Sequence, residues 1–569
     1  MPTTAIPHLA LVARMSHVAR RLARSPALAP YLSRLHATTT VDAPSASQTG
    51  WMGRPLVDEG DATNRADASS ASSASSASRT PGQVDAEHFR QGDSVAFWAN
   101  WRFDESASGV REMLADLGGT VRSSADATYW AYHAMRTSWF LGQGAAGLIA
   151  SNALAGGGVK SPIGGDGGIR SGVTAGARLV AEAAQVYKQD LGFMRAGRFN
   201  PPWDMHPSHR QFNPMFVADK TKKFIKEATS TLRKSRAAKE AAAARSAAGG
   251  SAEAAETKVW MDSPLYPDYY LKTFHYQTDG WLSTQSAEVY EVSTETLFLG
   301  RQDAMQRTAL VPLSEYMRER VNEGAPEDGS TATAVREDGA GAKLLELACG
   351  TGRFLTFVRD NYPGMDTTGL DLSPFYLIEA RKNGEYWEKM RRRVRNARGG
   401  GGGGAVTDAL RLIGGFAKRV GVPLPPLPLP NARPSNGGAR DRGHEKIGSC
   451  EFVQAAAEAM PFPDASFDVI TCVYLLHELP AEARAAAAKE AARVLKPGGL
   501  LVLADSVQLG DRPRLDAHLG KFGDFNEPHY RDYISSELVS VFGPDGAGLT
   551  PWTKELCSST KVLSFRKPK

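Results

Sequence analysis

The stretch Lys343-Leu-Leu-Glu-Leu-Ala-Cys-Gly-Thr-Gly-Arg-Phe354, followed by Gly369-Leu-Asp-Leu-Ser373, constrains the fold more than any other part of the chain. It reads as a buried strand, a glycine loop opening a helix, and a second strand that ends in a carboxylate. That order predicts a small-molecule cleft at the carboxyl ends of a parallel sheet. Gly350 and Gly352 carry no Cβ and let the backbone approach a ligand closely. Asp371, one strand–helix–strand unit later, can accept hydrogen bonds from both hydroxyls of a ribose. The ligand therefore reads as a nucleoside derivative.

Two common nucleotide loops are excluded. A dinucleotide fingerprint needs a third glycine to seat a pyrophosphate at the helix N-terminus, and Arg353, Phe354 and Leu355 follow Gly352 instead. A phosphate-cradling loop needs G-K-[ST], which is absent. Glu346 stands just before the loop, and a carboxylate there suits a ligand carrying a cation, such as the ammonium of a methionine moiety.

These residues resemble the class I S-adenosylmethionine-dependent methyltransferases, whose first motif runs acidic-x-Gly-x-Gly-x-Gly. Ala348 stands at the first of those glycines, a replacement tolerated where φ is negative. The resemblance continues through Ala457-Glu-Ala-Met-Pro-Phe-Pro-Asp-Ala-Ser-Phe-Asp-Val-Ile-Thr-Cys472, Val473-Tyr-Leu-Leu-His-Glu-Leu-Pro480 and Arg493-Val-Leu-Lys-Pro-Gly-Gly-Leu-Leu-Val-Leu-Ala-Asp505. Within the family it is similar to the subgroup that includes the ubiquinone/menaquinone C-methyltransferases (type 11). The implied fold is α/β: a Rossmann-like, seven-stranded, mostly parallel sheet with helices on both faces, preceded by an α-helical domain. The implied cofactor is S-adenosyl-L-methionine. The implied cofactor-binding residues are Glu346, Ala348, Gly350, Thr351, Gly352, Asp371, Leu372, Ala456, Ala457, Glu458, Cys472 and Val473. Relatives often place an Asp at the position of Ala456 to hold the adenine amino group, so backbone groups or Glu458 take that contact here. Asp468, at the start of its strand, and the turn Lys496-Pro-Gly-Gly499 read as structural.

The 569 residues exceed one typical domain, and the net charge of +5 does not point to nucleic acid. Four cysteines without paired spacing fit a reducing compartment and no structural metal. No apolar run is long enough to span a membrane. The first 41 residues lack Asp and Glu and place Arg14, Arg20, Arg21 and Arg24 among apolar residues at helical spacing. This predicts an organellar transit peptide, with a plastid favoured over a mitochondrion by likeness to uncharacterised methyltransferase-like proteins of plants and cyanobacteria. Residues 42–85, with a Ser-Ala run, read as a low-complexity linker.

Residues 86–258 read as a helical N-terminal domain whose aromatics serve as core. Residues 156–168 read as a flexible loop. Pro201-Pro-Trp-Asp-Met-His-Pro-Ser-His209 holds two histidines without further ligands, so no metal is expected. Residues 259–339 read as an aromatic lid or connector. Residues 340–568 form the methyltransferase domain, interrupted at 385–449 by an insertion with a basic run, six glycines and a proline run. The basic run gives a possible peripheral membrane contact; no protein partner is identifiable.

By the family layout, His477 lies near the reacting methyl and titrates in a range useful for a general base. Tyr270, His275, Tyr276 and Trp281 of the lid, with Glu527, His529 and Tyr530 after the fifth strand, are candidates for the acceptor pocket. The expected activity is methyl transfer to a lipophilic small molecule, a quinone, chromanol or pigment precursor. The alternatives are a non-catalytic cofactor-binding assembly or regulatory module and a protein methyltransferase.

Overall fold

The central strands carry apolar runs, Leu344 and Leu345, Val469 and Ile470, and Leu500 to Ala504, as strands covered on both faces must. Val469 and Ile470, or Leu500 and Leu501, alternate between two separate cores, one on each side of the sheet. The computed structural model describes residues 48–49, 55–56, 79–154, 168–206, 209–247, 263, 265–271, 279–324, 334–399, 447–522 and 527–569. Gln48–Thr49 and Pro55–Leu56 pair antiparallel within a small separate unit. All other described elements belong to a second unit.

That unit begins with α1 (Pro81–His88), β1 (Arg90–Gln91), α2 (Asp93–Asn100), α3 (Ala107–Gly118), α4 (Ser124–Leu154), α5 (Gly168–Arg195) and α6 (Pro214–Ala247). Helices α7 (Thr284–Leu297), α8 (Gln302–Arg307) and α9 (Leu310–Glu323) lead into the sheet. There follow β2 (Lys343–Leu347), α10 (Arg353–Asn361), β3 (Asp366–Asp371), α11 (Pro374–Gly399), β4 (Cys450–Gln454) and β5 (Phe467–Val473). Next come α12 (Ala481–Val494), β6 (Leu495–Ser506), α13 (Asp516–Phe522), α14 (Tyr530–Ser535) and α15 (Leu538–Phe542). The hairpin of β7 (Thr550–Cys557) and β8 (Thr560–Arg566) closes the chain.

The eight-stranded sheet has the order β1-β7-β8-β6-β5-β2-β3-β4. Strands β4, β3, β2, β5 and β6 are parallel, and β8 lies antiparallel to both β6 and β7. From β2 the chain builds outward to β3 and β4, then crosses back to β5. That reversal beside β2 is the switch point where an open α/β sheet binds its ligand. Seven strands are those expected; the eighth is the two-residue β1, which pairs parallel with β7.

Several boundaries differ from the sequence reading. Helix α1 starts inside the expected linker, with Pro81 in its first turn and the Thr80 amide donating to Gln83 Oε1 at 2.9 Å. Among the described residues the N-terminal helices form no apolar core separate from the sheet's. Trp98, Tyr129 and Val186 share one apolar cluster with Leu345, Leu347 and Ile470 of the sheet. Lys496–Gly499 lies within β6 itself, where a register shift against β5 absorbs it. The insertion opens as helix, because α11 runs on to Gly399. Residues 155–167 and 400–446, which include most of the expected loop and most of the insertion, lie outside the described residues. Asp468 is structural as expected, accepting from the Lys343 amide at 2.9 Å and pairing with Lys496 at 2.8 Å. No helix among the described residues is long and apolar enough to cross a membrane.

A buried quartet fastens α1 to the far edge of the sheet. Lys554 of β7 and Lys561 of β8 both meet Asp85 of α1, at 3.0 and 2.8 Å, and both meet Asp511, at 2.5 and 3.3 Å. All four side chains are at most 2 % exposed. Removing one partner leaves the rest as uncompensated buried charge. Asp85→Ala is therefore expected to lower stability by about 3–5 kcal/mol in urea unfolding. A loss below about 1 kcal/mol would show that the quartet is not a fastening.

Candidate active site

Strand β2 carries Glu346 to the switch point, and the loop that follows is tied to β3 by its backbone. The Cys349 amide donates to the Leu370 carbonyl at 2.9 Å, and the Gly350 amide donates to Asp371 Oδ2 at 2.8 Å. The Ser373 amide donates to Asp371 Oδ1, also at 2.8 Å. Burial pushes the Asp371 carboxyl up to about 6, against the lowering effect of the Ser373, Gly350 and Leu372 amides. Each carboxylate oxygen retains a second lone pair for a ligand hydroxyl.

The loop turns through the left-handed region. Gly350 and Gly352 have φ of 54° and 71°, and Ala348 has φ of 50°. The negative φ anticipated at Ala348 is therefore corrected: an alanine holds a conformation that favours glycine. Tethering of the next amides to Leu370 and Asp371 imposes it. Among the described residues, a Cβ at Gly350 would meet Tyr290 and Tyr376, each at 3.9 Å, an ordinary contact distance.

Glu346 is 2 % exposed, and its Oε2 has no hydrogen-bond partner among the described residues. Burial, and then the charge of Asp371, raise its carboxyl well above the usual range. An orphaned carboxylate oxygen beside the loop fits the ammonium of a methionine moiety, and Asp371 fits a ribose. The residues present thus suit S-adenosylmethionine.

The segments before the sheet clamp this loop. Thr351 Oγ1 donates to Glu291 Oε1 of α7 at 2.7 Å; Asn383 Nδ2 of α11 donates to Glu291 Oε1 at 2.8 Å and to the Thr351 carbonyl at 2.9 Å. Trp281, Tyr290 and Tyr376 pack edge to face beside Gly350, with ring centroids 5.3 to 5.7 Å apart. Tyr270, expected on the acceptor side, instead faces Asp371 and hydrogen-bonds Ser373, so it stands at the ribose end. Tyr269 donates to Glu458, which engages the carboxylate proposed for adenine. Ala456 lies at the turn after β4, and its carbonyl accepts from the Ala459 amide at 3.2 Å. Ala457 packs with Leu479 and Ala483, and the Leu372 carbonyl accepts from Gln454. His275 and Tyr276 lie outside the described residues. A shallow pocket lined by Trp203, His209, Tyr386 and Trp387 adjoins the clamp. It shares Glu291 and Asn383 with the clamp but includes neither Glu346 nor Asp371, so it is a different space from the cofactor's.

At the carboxyl end of β5, Cys472 is buried and Val473 half-buried. Tyr474 follows at φ 56°, an uncommon backbone for a bulky residue and one met at functional turns. His477 comes next. Its Nδ1 lies 2.6 Å from Asp505 Oδ1, and its Nε2 lies 3.5 Å from Glu478 and 4.0 Å from Glu527. Burial works against the imidazolium, yet Asp505, Glu478 and Glu527 together raise the imidazole to about 9. It therefore keeps its proton at neutral pH, which corrects the expectation of a base that titrates there. Tyr530 donates to or accepts from Ser506 at 2.8 Å, with its ring 6.1 Å from that of His477; His529 lies edge-on to Tyr269 at 6.5 Å. Burial, and then the charges of Glu478, Asp371, Glu291 and Glu527, raise the Tyr290 hydroxyl well above its usual range. Tyr290, Glu291, Tyr376, Asn383 and Asp505 were not singled out by sequence; only the packing of α7, α11 and β6 around the loop brings them in.

The profile of the family described as "Methyltransferase domain" matches residues 397–503, which begins after the glycine loop and ends in β6. An uncharacterized methyltransferase YcgJ of Bacillus subtilis is 38 % identical over 105 residues, covering 18 % of this chain and 39 % of that protein. A ubiquinone/menaquinone biosynthesis C-methyltransferase UbiE of Shewanella is 46 % identical over 66 residues, or 12 % of this chain and 25 % of its own. The chain thus spans well under half the length of these curated relatives. The N-methyltransferase NodS of Bradyrhizobium japonicum aligns over 47 % of this chain and 99 % of its own, at 14 % identity and a TM-score of 0.25. The sheet order, the loop and the matched profile define a class I S-adenosylmethionine-dependent methyltransferase domain. Over residues 397–503 it matches the type 11 methyltransferase profile, and a 66-residue stretch is similar to UbiE.

Asp371→Ala is expected to weaken S-adenosylmethionine binding by about 2–4 kcal/mol, roughly 30- to 900-fold in Kd by calorimetry. Because the ionised Asp371 accepts on both oxygens and protonation turns one of them into a donor, wild-type affinity should fall as pH drops through about 6, and Asp371→Asn should flatten that dependence. Ala348→Gly relieves the left-handed alanine at some entropic cost, for a net gain of about 0.5–1 kcal/mol in denaturant unfolding. A loss of stability would show that Ala348 is not strained.

Proposed function

We propose that the chain is an enzyme that transfers a methyl group from S-adenosylmethionine to a lipophilic small molecule of the quinone, chromanol or pigment-precursor type. One observation carries this reading: three aromatic rings, Trp281, Tyr290 and Tyr376, close over the glycine loop beside Gly350. Apolar rings there suit a planar or isoprenoid acceptor and exclude water from the cleft.

Bound S-adenosylmethionine supplies a methyl carbon already activated by its sulfonium. The protein's part is alignment. Glu346 would hold the methionine ammonium and Asp371 the ribose, and Glu291 with Asn383 keeps Thr351 and the loop in place. His477, Glu478 and Glu527 make the polar end of the cleft, where the acceptor's reacting group would sit. The acid-free, Arg-bearing first 41 residues support import into an organelle, a plastid by preference. The basic run at 391–395 supports contact with an anionic membrane surface, where such acceptors dissolve.

The test is to incubate the full chain with S-adenosylmethionine labelled in the methyl group and a plastid lipid extract. Label is expected in an extractable lipophilic compound. Binding of the cofactor without transfer to any extractable compound would instead favour the assembly-module reading, and label retained on protein would favour side-chain acceptors.

A further inference from the structure

We propose that His477, Glu478 and Glu527 form a binding site for a divalent cation at the acceptor end of the cleft. One ligand atom from each residue lies within 4.8 Å of the other two, and the side chains are 8 %, 9 % and 2 % exposed. The imidazole Nε2 stands 3.5 Å from Glu478 Oε1 and 4.0 Å from Glu527 Oε2. Two donors at about 2.0–2.2 Å from a shared ion sit at such separations after a small inward movement. One nitrogen and two carboxylates make three protein ligands, the number that leaves positions open on an ion for a substrate atom.

The arrangement behind the histidine is independent of the cluster and points the same way. A carboxylate only accepts, so Nδ1 carries the hydrogen toward Asp505 Oδ1 at 2.6 Å, and Nε2 is the nitrogen turned to the two glutamates. Asp505 is itself immobilised, since the Leu476 amide donates to its Oδ2 and the Ser506 amide to its Oδ1, both at 2.7 Å. A carboxylate that fixes the far nitrogen of an imidazole is the support that metal-ligating histidines use. Charge agrees. Three buried carboxylates converge on one imidazole and leave the group net negative even with the ring protonated, and a bound cation takes the place of the Nε2 proton, which is released to solvent. The neighbouring guanidinium of Arg484 is directed to the Leu476 and Leu479 carbonyls, Ser536 and Asp532. An imidazole with two carboxylates suits Mn²⁺, Fe²⁺ or Zn²⁺ better than Ca²⁺.

The site stands on this geometry alone. Its use, to hold and polarise an acceptor oxygen opposite the methyl donor, rests on the methyl-transfer reading. The experiment is a titration of the chelator-treated full chain with Mn²⁺, followed by electron paramagnetic resonance, beside calorimetry of S-adenosylmethionine binding on the same samples. One Mn²⁺ per chain is expected, displaced by Zn²⁺. Affinity should fall at least tenfold in Glu478→Gln and Glu527→Gln, and about 10- to 100-fold in Asp505→Asn, with cofactor affinity held within about twofold as the check on folding. Cofactor binding with no Mn²⁺ bound, or equal Mn²⁺ affinity in wild type and the Glu478→Gln/Glu527→Gln double variant, overturns the ion site. Mn²⁺ bound with no cofactor binding upholds the ion site and overturns the methyl-transfer reading instead.

Discussion

The ion pairs of Arg353 hold the rest of the site in place. This residue opens α10 directly after the glycine loop. Its guanidinium donates to Asp303 at 2.6 and 3.0 Å and is paired also with Asp204. Asp303 is shared with Arg136 of α4, which reaches Glu295 of α7 as well. Burial works against the charge on Arg353, and Asp204 and Asp303 more than offset it. Such a network destabilises strongly when one member is lost, so it favours a single arrangement of helices and loop. The loop's position is therefore decided jointly by the sheet beneath it and by helices more than a hundred residues upstream.

On that support the cleft divides into two chemically different ends. Around β2 and β3, Glu346 and Asp371 are buried carboxylates with little to neutralise them, a condition that a cationic, hydroxyl-bearing ligand relieves. Around the ends of β5 and β6, His477 and its three carboxylate neighbours make a second polar centre. Trp281, Tyr290 and Tyr376 provide an aromatic wall beside Gly350 that strengthens electrostatic interactions near it. Both polar centres lie at the carboxyl ends of parallel strands, which explains how residues far apart in sequence come to act in one cleft.

Legibility in the sequence followed the range of the interaction. The strands, the glycine loop and the Asp371 strand end were legible because each depends on neighbours within a few residues: apolar runs, missing Cβ atoms and turn chemistry. Ala348 shows the limit. Its identity was plain, but the sign of φ depends on which amides the loop directs to Leu370 and Asp371 across the sheet. His477 shows a second limit. Its place after β5 was legible, but its proton affinity is set by Asp505 and Glu527, 28 and 50 positions later. The helical region was legible as helices and not as part of the same core, since a 3.6-residue period shows an apolar face without showing what covers it.

By itself, then, the sequence determined an α/β sheet with a nucleoside cleft after its first long strand, because backbone propensity and loop chemistry are local properties of the chain. Only the tertiary structure decided which side chains complete that cleft. Glu291, Asn383 and Arg353 are joined to the loop, and Glu478 and Glu527 to His477, through contacts that cross from one element to another. The physical reason is that charge, burial and hydrogen bonding act over a few ångströms in space, whatever the separation along the chain.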